Sequence, residues 1–513
     1  MTTNTIKKAI VSVFDKSYLN LLAEYFLNFN IHVFSTGGTS KFLKSFSSKI
    51  KVIDISDFTK FNEILGGRVK SLHPIIHSGI LAKKNSIQHQ KELTKLKIPN
   101  IDLVVVNLYP FEIISENPNS SDLDCIENID IGGPTLLRGA AKNYEKVTVL
   151  SDPYQYKKFL KEVKNNNNST GLSFRKACAK TAFDNTAFYD AKISSWFNGD
   201  QKNLDSEKGS IPIKKISDLR YGENPHQKAS VFKFSKNEFL KISGKELSYN
   251  NICDTEVAIE LAGQFSKPSC VILKHGNPCG VALDNKQDIA YSKALKCDKI
   301  SAFGGIIAFN KVLTLETAKK INNIFTEVVI APKFSKEAKN LLSLKQNLIL
   351  IEYKNKQKIT STHIKTTRNF LLIQEKDNKK INVKNLITKT EIKPTSKCID
   401  DLLFAFTVSK YINSNAIVLV NNLSTVGIGV GQTSRLDSAK QAIKKMKNNF
   451  KNTKSVMASD GFFPFSDIVT LCSKNNVAAI IQPGGSKNDN DVINTANKFK
   501  ISLIFTGTRH FKH

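Results

Sequence analysis

The chain has 513 residues and carries 75 Lys and Arg against 45 Asp and Glu, for a formal net charge of +30 at pH 7. Its length allows two or three domains with separate cores, no apolar run reaches a membrane span, and Met1–Ile10 lacks the apolar stretch of a signal peptide, so a soluble cytoplasmic protein is expected. Eight scattered cysteines without a CxxC pair argue for reduced thiols, and Lys spread beside Asn, Ile and Ser, with no RNA-binding signature, argues against nucleic acid as the partner and leaves anionic small molecules.

In chain order, "KAIVSVF" (8–14) reads as a strand and "KSYLNLLAEYFLNF" as a helix with Leu19, Leu22, Phe26 and Phe29 on one face. "IHVFSTGGTSKFLKSF" then reads as strand, glycine turn and helix, which sets Thr36, Gly37, Gly38 and Thr39 at a helix N-terminus. Free N–H groups and two hydroxyls there make a phosphate seat. "LGGRVKSLHPIIHSG" gathers Arg68, Lys70, His73 and His77 around glycines. "IDLVVVNLYPFE" is a buried strand ending in Asn107, Tyr109 and Pro110, and "IENIDIGGPTLLRGAAKN" places Asp130 before a glycine pair and Lys142 on the helix after it. Polar groups at the C-terminal ends of parallel strands mark the ligand edge of an open α/β sheet. His73 and His77 lack an acidic partner at helical spacing, so structural histidines are preferred to a metal pair.

Asn198–Lys215 is polar and poor in aromatics, as a linker is. Beyond it, "SCVILKH", "SAFGGIIAFN", "EVVIAP", "SNAIVLV", "TVGIGVGQ", "AAIIQPGG" and "ISLIFTGTRHF" are strands, separated by helices such as "DSAKQAIKKMKNNF", in a second α/β half. Tyr353–Lys384 has little periodicity and reads as an excursion. Of seven arginines, Arg68, Arg138, Arg220, Arg435 and Arg509 fall in Gly-, Asn-, His- or Pro-rich clusters, where a bidentate fork has a use; Arg175 and Arg368 read as drift.

"SCVILKHGNPCGVA" ends a buried strand in Lys274 and His275. A zinc deaminase would need H-x-E and P-C-x-x-C, and here neither is complete; Cys279 in a strand-end turn reads as a small buried thiol. Lys274 and His275 remain as charge stabiliser and proton acceptor. Two solvated strand-end residues are the bland alternative, weakened by the glycines and Asn277 on one side and the buried strand on the other.

Together, "GGRVKSLHP", "NLYPFE", "IENIDIGGPTLLRGAAKN", "LRYGENPHQ", "KHGNPCGVA", "SAFGGIIAFN", "SNAIV", "TVGIGVGQTSR", "SDGFFPFSD", "IQPGGS" and "TRHFKH" resemble, in order from Ile6 to His513, the bifunctional purine-biosynthesis family that joins AICAR formyltransferase to IMP cyclohydrolase. The resemblance implies an α/β fold: residues 1–197 a methylglyoxal-synthase-like doubly wound cyclohydrolase domain, 198–215 a linker, and 216–513 a formyltransferase domain of two cytidine-deaminase-like units lacking the zinc. It implies formyl transfer from 10-formyltetrahydrofolate, a cosubstrate, to AICAR, giving FAICAR and tetrahydrofolate, then dehydrative closure to IMP, with no metal and in a homodimer. It implies His275 as proton acceptor and Lys274 as transition-state stabiliser, with Arg220, Tyr221, Asn415, Phe462 and Arg509 on the AICAR nucleotide and Arg435, Leu436, Asp467, Ser486 and Lys487 facing the folate. For cyclisation it implies Lys142, Asp130, Tyr109 and Lys70 in proton transfer and orientation, with Ser12, Thr36, Gly37, Gly38, Thr39, Arg68, Ser71 and Asn107 binding substrate. Ser71, Gly139, Thr433 and Gly461 depart from the Thr, Ala, Met and Ala common at those positions, and "CDKISAFGG" lacks the usual proline.

Overall fold

The computed structural model describes residues 4–199, 206–233, 239–354 and 362–513. The chain divides into two compact units, Met1–Lys214 and Lys215–His513. The expected linker spans that division, and its residues 200–205 lie outside the described residues, as do residues 355–361 of the expected excursion. The rest of the excursion includes a largely exposed hairpin, Thr362–Thr366 with Leu371–Glu375.

The first unit is built on five parallel strands, β1 (Lys8–Val13), β2 (His32–Ser35), β3 (Lys51–Asp54), β4 (Leu103–Asn107) and β5 (Thr148–Leu150), in the order β3-β2-β1-β4-β5. Every residue of β4, LVVVN, is buried, as an interior strand covered on both faces requires. Its helices include α1 (Leu19–Asn28), α2 (Gly37–Phe46), α3 (Pro74–Leu81), α4 (Gly132–Lys142), α5 (Tyr156–Asn165) and α6 (Leu172–Asn198). Leu19, Leu22 and Phe26 are buried as expected. Phe29 is not: it lies past the end of α1 as its C-cap and is 46% exposed. Strand order reverses between β1 and β4, the switch point at which a doubly wound sheet opens a crevice.

The second unit is a 12-stranded sheet. Its strands are β6 (Phe239–Ser243), β7 (Ser269–Lys274), β8 (Asn277–Leu283), β9 (Gly305–Phe309), β10 (Thr326–Ala331), β11 (Ile349–Tyr353), β12 (Ile387–Thr388), β13 (Ile417–Asn421), β14 (Ser424–Gly429), β15 (Ser455–Ser459), β16 (Val477–Gln482) and β17 (Ser502–Phe505), in the order β6-β11-β10-β9-β7-β8-β14-β13-β15-β16-β17-β12. From either outer edge to the middle the pairings repeat: antiparallel, parallel, parallel, antiparallel, antiparallel. Each half also threads a helix before its hairpin, α7 (Tyr249–Ala262) or α9 (Ser396–Ser409), and one after it, α8 (Gln287–Cys297) or α10 (Arg435–Asn449). The unit is therefore a duplicated fold, joined where Ala282 of β8 pairs with Ser424 of β14. Strand order shows the duplication but does not by itself name a deaminase.

Alternation assigns β7 to two cores: Val271 and Leu273 enter one shared by both halves, whereas Cys270 and Ile272 enter one confined to the first half. Close packing leaves a matched mark. A Cβ on Gly280 of β8 would lie 2.0 Å from the Ala294 carbonyl oxygen of α8, and one on Gly427 of β14 2.1 Å from that of Ala442 in α10.

Candidate active sites

In the first unit the loops after β1, β2 and β4 meet at the switch point. Ser12 Oγ and Thr36 Oγ1 lie 3.0 Å apart. The Thr36 carbonyl accepts from the Thr39 and Ser40 N–H groups at 3.1 and 3.2 Å, which leaves Gly37 and Gly38 as the leading amides of α2. A Cβ on Gly37 would lie 3.8 Å from Lys70 Nζ, and one on Gly38 3.8 Å from Lys16 Nζ, so two ammonium groups flank the amide pair. Of the two hydroxyls expected at this seat, that of Thr39 is committed elsewhere. It is buried, accepts from the Val13 N–H at 3.1 Å and donates to the Val13 carbonyl at 3.0 Å, tying α2 to β1.

Asn107, also buried, accepts from the Phe14 and Asp15 N–H groups at 2.7 and 2.9 Å and donates to the Asp15 carbonyl at 2.7 Å. It thereby fixes the loop that carries Lys16, a residue the sequence reading missed; its one signal was its place just beyond the first strand of a parallel sheet. Arg68 pairs with Glu127, and Lys70 with Glu63 at 2.7 Å, so both cations already have carboxylate partners that an anionic ligand must replace.

Asp130 stands at the start of α4, where its Oδ1 accepts from the Gly133 N–H at 2.7 Å; its own N–H donates to Tyr189 Oη at 2.9 Å, which in turn donates to the Asn128 carbonyl. Burial pushes the Asp130 carboxyl above its ordinary range, against the pull of the Gly133 and Tyr109 N–H groups. A Cβ on Gly133 would lie 2.5 Å from Asp130 Oδ2 and one on Gly132 2.7 Å from Ser71 Oγ, so the glycine pair lets carboxylate and hydroxyl close over the helix start. Tyr109, 41% exposed, meets Phe14 edge-on at 5.8 Å between ring centroids. Lys70, Ser71, Tyr109 and Asp130 thus border one crevice with the glycine turn. Lys142, expected among them, is the last residue of α4, and ten residues of helical rise put it about 15 Å along the axis from Gly132. His77 is half-buried, and its Nε2 has no partner among the described residues.

In the second unit His275 and Gly276 form the two-residue turn between β7 and β8, with φ of +53° and +72°. The Asp254 carboxylate of α7 accepts from both their N–H groups, at 3.2 and 2.7 Å, and the Asn277 amide donates to the His275 carbonyl at 3.0 Å. His275 is exposed; Lys274 Nζ donates to the Phe303 carbonyl at 2.7 Å. Cys279 points inward and burial pushes its thiol up to about 12, which closes the nucleophile reading. Among the described residues no group of three or more metal-ligating side chains comes together.

Asn277 Oδ1 accepts from the Asn413 N–H at 2.9 Å, linking this turn to the segment that carries Asn415. The Asn415 amide donates to the Gln432 and Thr433 carbonyls at 2.9 and 3.2 Å, beside Arg435 at the start of α10. Arg435 is largely buried, with its guanidinium 3.4 Å from Asp460 and over the Phe511 ring at 5.4 Å; Arg509 lies over the same ring at 4.3 Å. Gly461 makes this possible, since an alanine Cβ there would lie 2.0 Å from Arg435 Nη2. Phe462 is 37% exposed nearby in sequence, and Leu436 packs partly on the core. Asp467 opens the helix α11 (Asp467–Ser473), exposed at its N-terminus. The Asn488 amide donates to the Pro464 carbonyl at 2.7 Å and so joins the loop of Ser486 and Lys487 to that of Asp467. Arg220 lies over the Tyr221 ring at 5.5 Å, and its segment is seated on α7 through Asn250, whose amide donates to the Glu223 carbonyl at 3.3 Å. Among the described residues no hydrogen bond or ion pair joins Arg220 or Tyr221 to the Asn415 group. Asp254, Asp460 and Lys512 were not legible as site residues, because each acts through the backbone or side chain of a neighbour remote in sequence.

A family model described as the AICARFT/IMPCHase bienzyme matches residues 140–445, and one described as an MGS-like domain matches 19–135. The bifunctional purine biosynthesis protein PurH of Caldicellulosiruptor saccharolyticus is 45% identical, covering 99% of this chain and all of its own. Those of Persephonella marina and Fusobacterium nucleatum are each 44% identical with the same coverage. The crystal structure of ForH, 34% identical, covers 38% of this chain and all of its own with a TM-score of 0.34. A model matching more than half the chain, relatives alike over its whole length, and a doubly wound first unit followed by a duplicated second one make this chain a member of the bifunctional purine biosynthesis family, the AICAR formyltransferase/IMP cyclohydrolase bienzymes.

Proposed function

We propose that the chain's two activities, AICAR formyl transfer and IMP ring closure, are divided between its two units, closure in Met1–Lys214 and formyl transfer in Lys215–His513. The observation that carries this reading is that the two motif sets converge on separate places: a glycine turn flanked by Lys70 and Lys16 in the first unit, and the His275 turn in the second. The chain performs the last two steps of IMP synthesis and uses 10-formyltetrahydrofolate as cosubstrate.

In formyl transfer the AICAR 5-amino group is a weak nucleophile, its lone pair drawn into the carboxamide-bearing ring. As the amine attacks the formyl carbon, His275 takes its proton and the Lys274 ammonium faces the developing oxyanion. The bond from that carbon to the folate nitrogen then breaks, and the nitrogen leaves protonated as tetrahydrofolate. Lys274 spends one of its three N–H donors on Phe303, so two remain for the oxyanion. Asn415, Phe462, Arg509, Arg220 and Tyr221 hold the nucleotide, and Arg435, Leu436, Asp467, Ser486 and Lys487 border the folate.

In ring closure the carboxamide nitrogen of FAICAR attacks the formyl carbon and water leaves. The 5′-phosphate sits on the Gly37 and Gly38 amides with Thr36, Ser12, Arg68 and Ser71 around it, and Lys70, Tyr109 and Asp130 move and hold protons. The raised Asp130 carboxyl suits a group that must both give and take one. We read the enzyme as a cytoplasmic homodimer whose partners are its small-molecule substrates, with neither nucleic acid nor membrane among them; no helix among the described residues is long and apolar enough to cross a membrane.

The test is a pair of separations in the full-length protein. His275→Ala should lower formyl transfer by about 10²–10⁴-fold, mostly in kcat, with cyclisation intact. Asp130→Asn should do the reverse. Near-normal formyl transfer in His275→Ala would return the Lys274–His275 pair to a solvated strand end.

A further inference from the structure

Duplication of the second unit supplies an internal control for the His275 turn. Its counterpart is Asn422–Leu423 between β13 and β14, with φ of +51° and +54°. There Asp401 of α9 accepts from both turn N–H groups at 2.9 and 2.6 Å, as Asp254 of α7 does for His275 and Gly276. The aspartate clamp is thus part of the fold and is not peculiar to the half that carries His275. The two turns differ at the carbonyl of their second residue. In the second half the Leu423 carbonyl accepts from a backbone group, the Leu283 N–H, at 2.9 Å. In the first half the Gly276 carbonyl accepts from a side chain 236 positions away in the sequence, Lys512 Nζ, at 3.1 Å; the same ammonium donates to the Tyr411 carbonyl at 3.2 Å.

Lys512 belongs to a tail that is tied to the nucleotide contacts at several points. Its carbonyl accepts from the Ser414 N–H at 2.9 Å, one residue before Asn415, and its N–H donates to Ser414 Oγ at 3.4 Å. Arg435 and Arg509 both lie over the Phe511 ring, the His510 N–H donates to the Asp460 carbonyl at 3.1 Å, and the His510 ring pairs with the Asp377 carboxylate. Burial lowers the pKa of the Lys512 ammonium, opposed by the charges of Glu260 and Asp254. A desolvated lysine bonded to two backbone carbonyls works as a strut, since neither acceptor carries a charge to neutralise.

We propose that Lys512 is a positioning residue for formyl transfer: by holding the Gly276 carbonyl it couples the tail that carries Arg509, and through Ser414 the Asn415 segment, to the turn that aims His275. The proposal rests on the reading of His275 as proton acceptor. It acts on a bond other than Asp254's, because Asp254 fixes the turn's N–H groups and Lys512 its carbonyl.

The test uses the full-length enzyme with AICAR and 10-formyltetrahydrofolate. Lys512→Met should lower kcat for formyl transfer by about 10–100-fold, the scale of a misplaced catalytic group. The KM for AICAR should stay within about threefold, because the arginines and Asn415 remain. Cyclisation should be unchanged and Lys512→Arg should recover most of kcat. In a His275→Ala background Lys512→Met should cost nothing further, since a strut for an absent imidazole has nothing to hold. If Lys512→Met proves unfolded by circular dichroism, Lys512→Gln carries the same readouts. An unchanged kcat, a loss confined to KM, or a full additional loss in the His275→Ala background would each overturn the proposal. His275→Ala retaining formyl transfer would instead bring down the underlying assignment, and the strut with it.

Discussion

Three residues separate His275 from Cys279, and their surroundings give them opposite chemistry. His275 stands exposed at the apex of a turn whose backbone is fixed by Asp254, so its ring is presented while its main chain is held. Cys279 alternates into a sealed core, where a thiolate has no solvation and the thiol stays protonated. His77 shows the same burial rule acting on a cation. Desolvation lowers its pKa from the usual 6.5, opposed by a hydrogen bond to the Ser71 backbone. Between its folded pKa and 6.5 the unfolded chain therefore binds more protons than the native one. The stability contributed by His77 is full above the unfolded value and is lost as pH falls below it. Urea-unfolding midpoints measured from about pH 7.5 down to 5.5 should fall more steeply for the wild type than for His77→Gln, which does not titrate there. Parallel slopes would mean that His77 is as solvated in the native state as in the unfolded one.

At the scale of elements, the recurring device of the second unit is a hairpin with a helix pressed onto its second strand. The hairpin turns need two successive residues at positive φ, and the two halves meet that need with His-Gly and Asn-Leu, so an aspartate from the preceding helix compensates for unfavourable turn residues in both. The following helix approaches until its carbonyls nearly touch the strand, which only glycine allows. Gly280→Ala and Gly427→Ala should each destabilise the unit by about 1–3 kcal/mol or more through overpacking, and by comparable amounts, as equilibrium denaturation would show. A cost at only one of them would mean that the second half has relaxed away from the geometry of the first. In the first unit the glycine pair Gly132–Gly133 does related work, because it lets Ser71 and Asp130 approach the N-terminus of α4.

For the molecule as a whole, the distribution of cores decides what can be separated. The core of the first unit draws on residues from Ile6 to Ala182. A fragment ending at Lys214 should therefore fold and close FAICAR to IMP at a rate comparable to that of the intact chain. A folded fragment without cyclisation, followed by the appearance of IMP, would refute the division of labour. The second unit is different: one of its cores takes residues from both halves, from Ala258 to Ile504, so it should resist any cut between them and unfold as one. The net charge of +30 adds a general attraction for three anionic small molecules, AICAR, FAICAR and the folate.

The sequence by itself determined the α/β class, the glycine turn at a helix N-terminus, the Lys-His strand end and the family, because each is carried by residues close together in the chain: period-two and period-3.6 patterns, turn glycines and short ordered motifs. What only the tertiary structure decided depends on contacts between residues far apart or on distances along an element. Lys142 shares a motif with Asp130, yet the rise of α4 carries it about 15 Å away from the glycine pair. Thr39 looks like Thr36 in the sequence, but the packing of α2 on β1 turns its hydroxyl to Val13. Lys16, Asp254, Asp460 and Lys512 are ordinary charges until the fold sets them beside a glycine turn, two amides, a guanidinium and a carbonyl. Local pattern is written in neighbouring residues, whereas a hydrogen bond between Gly276 and Lys512 spans 236 positions, and no period or motif encodes it.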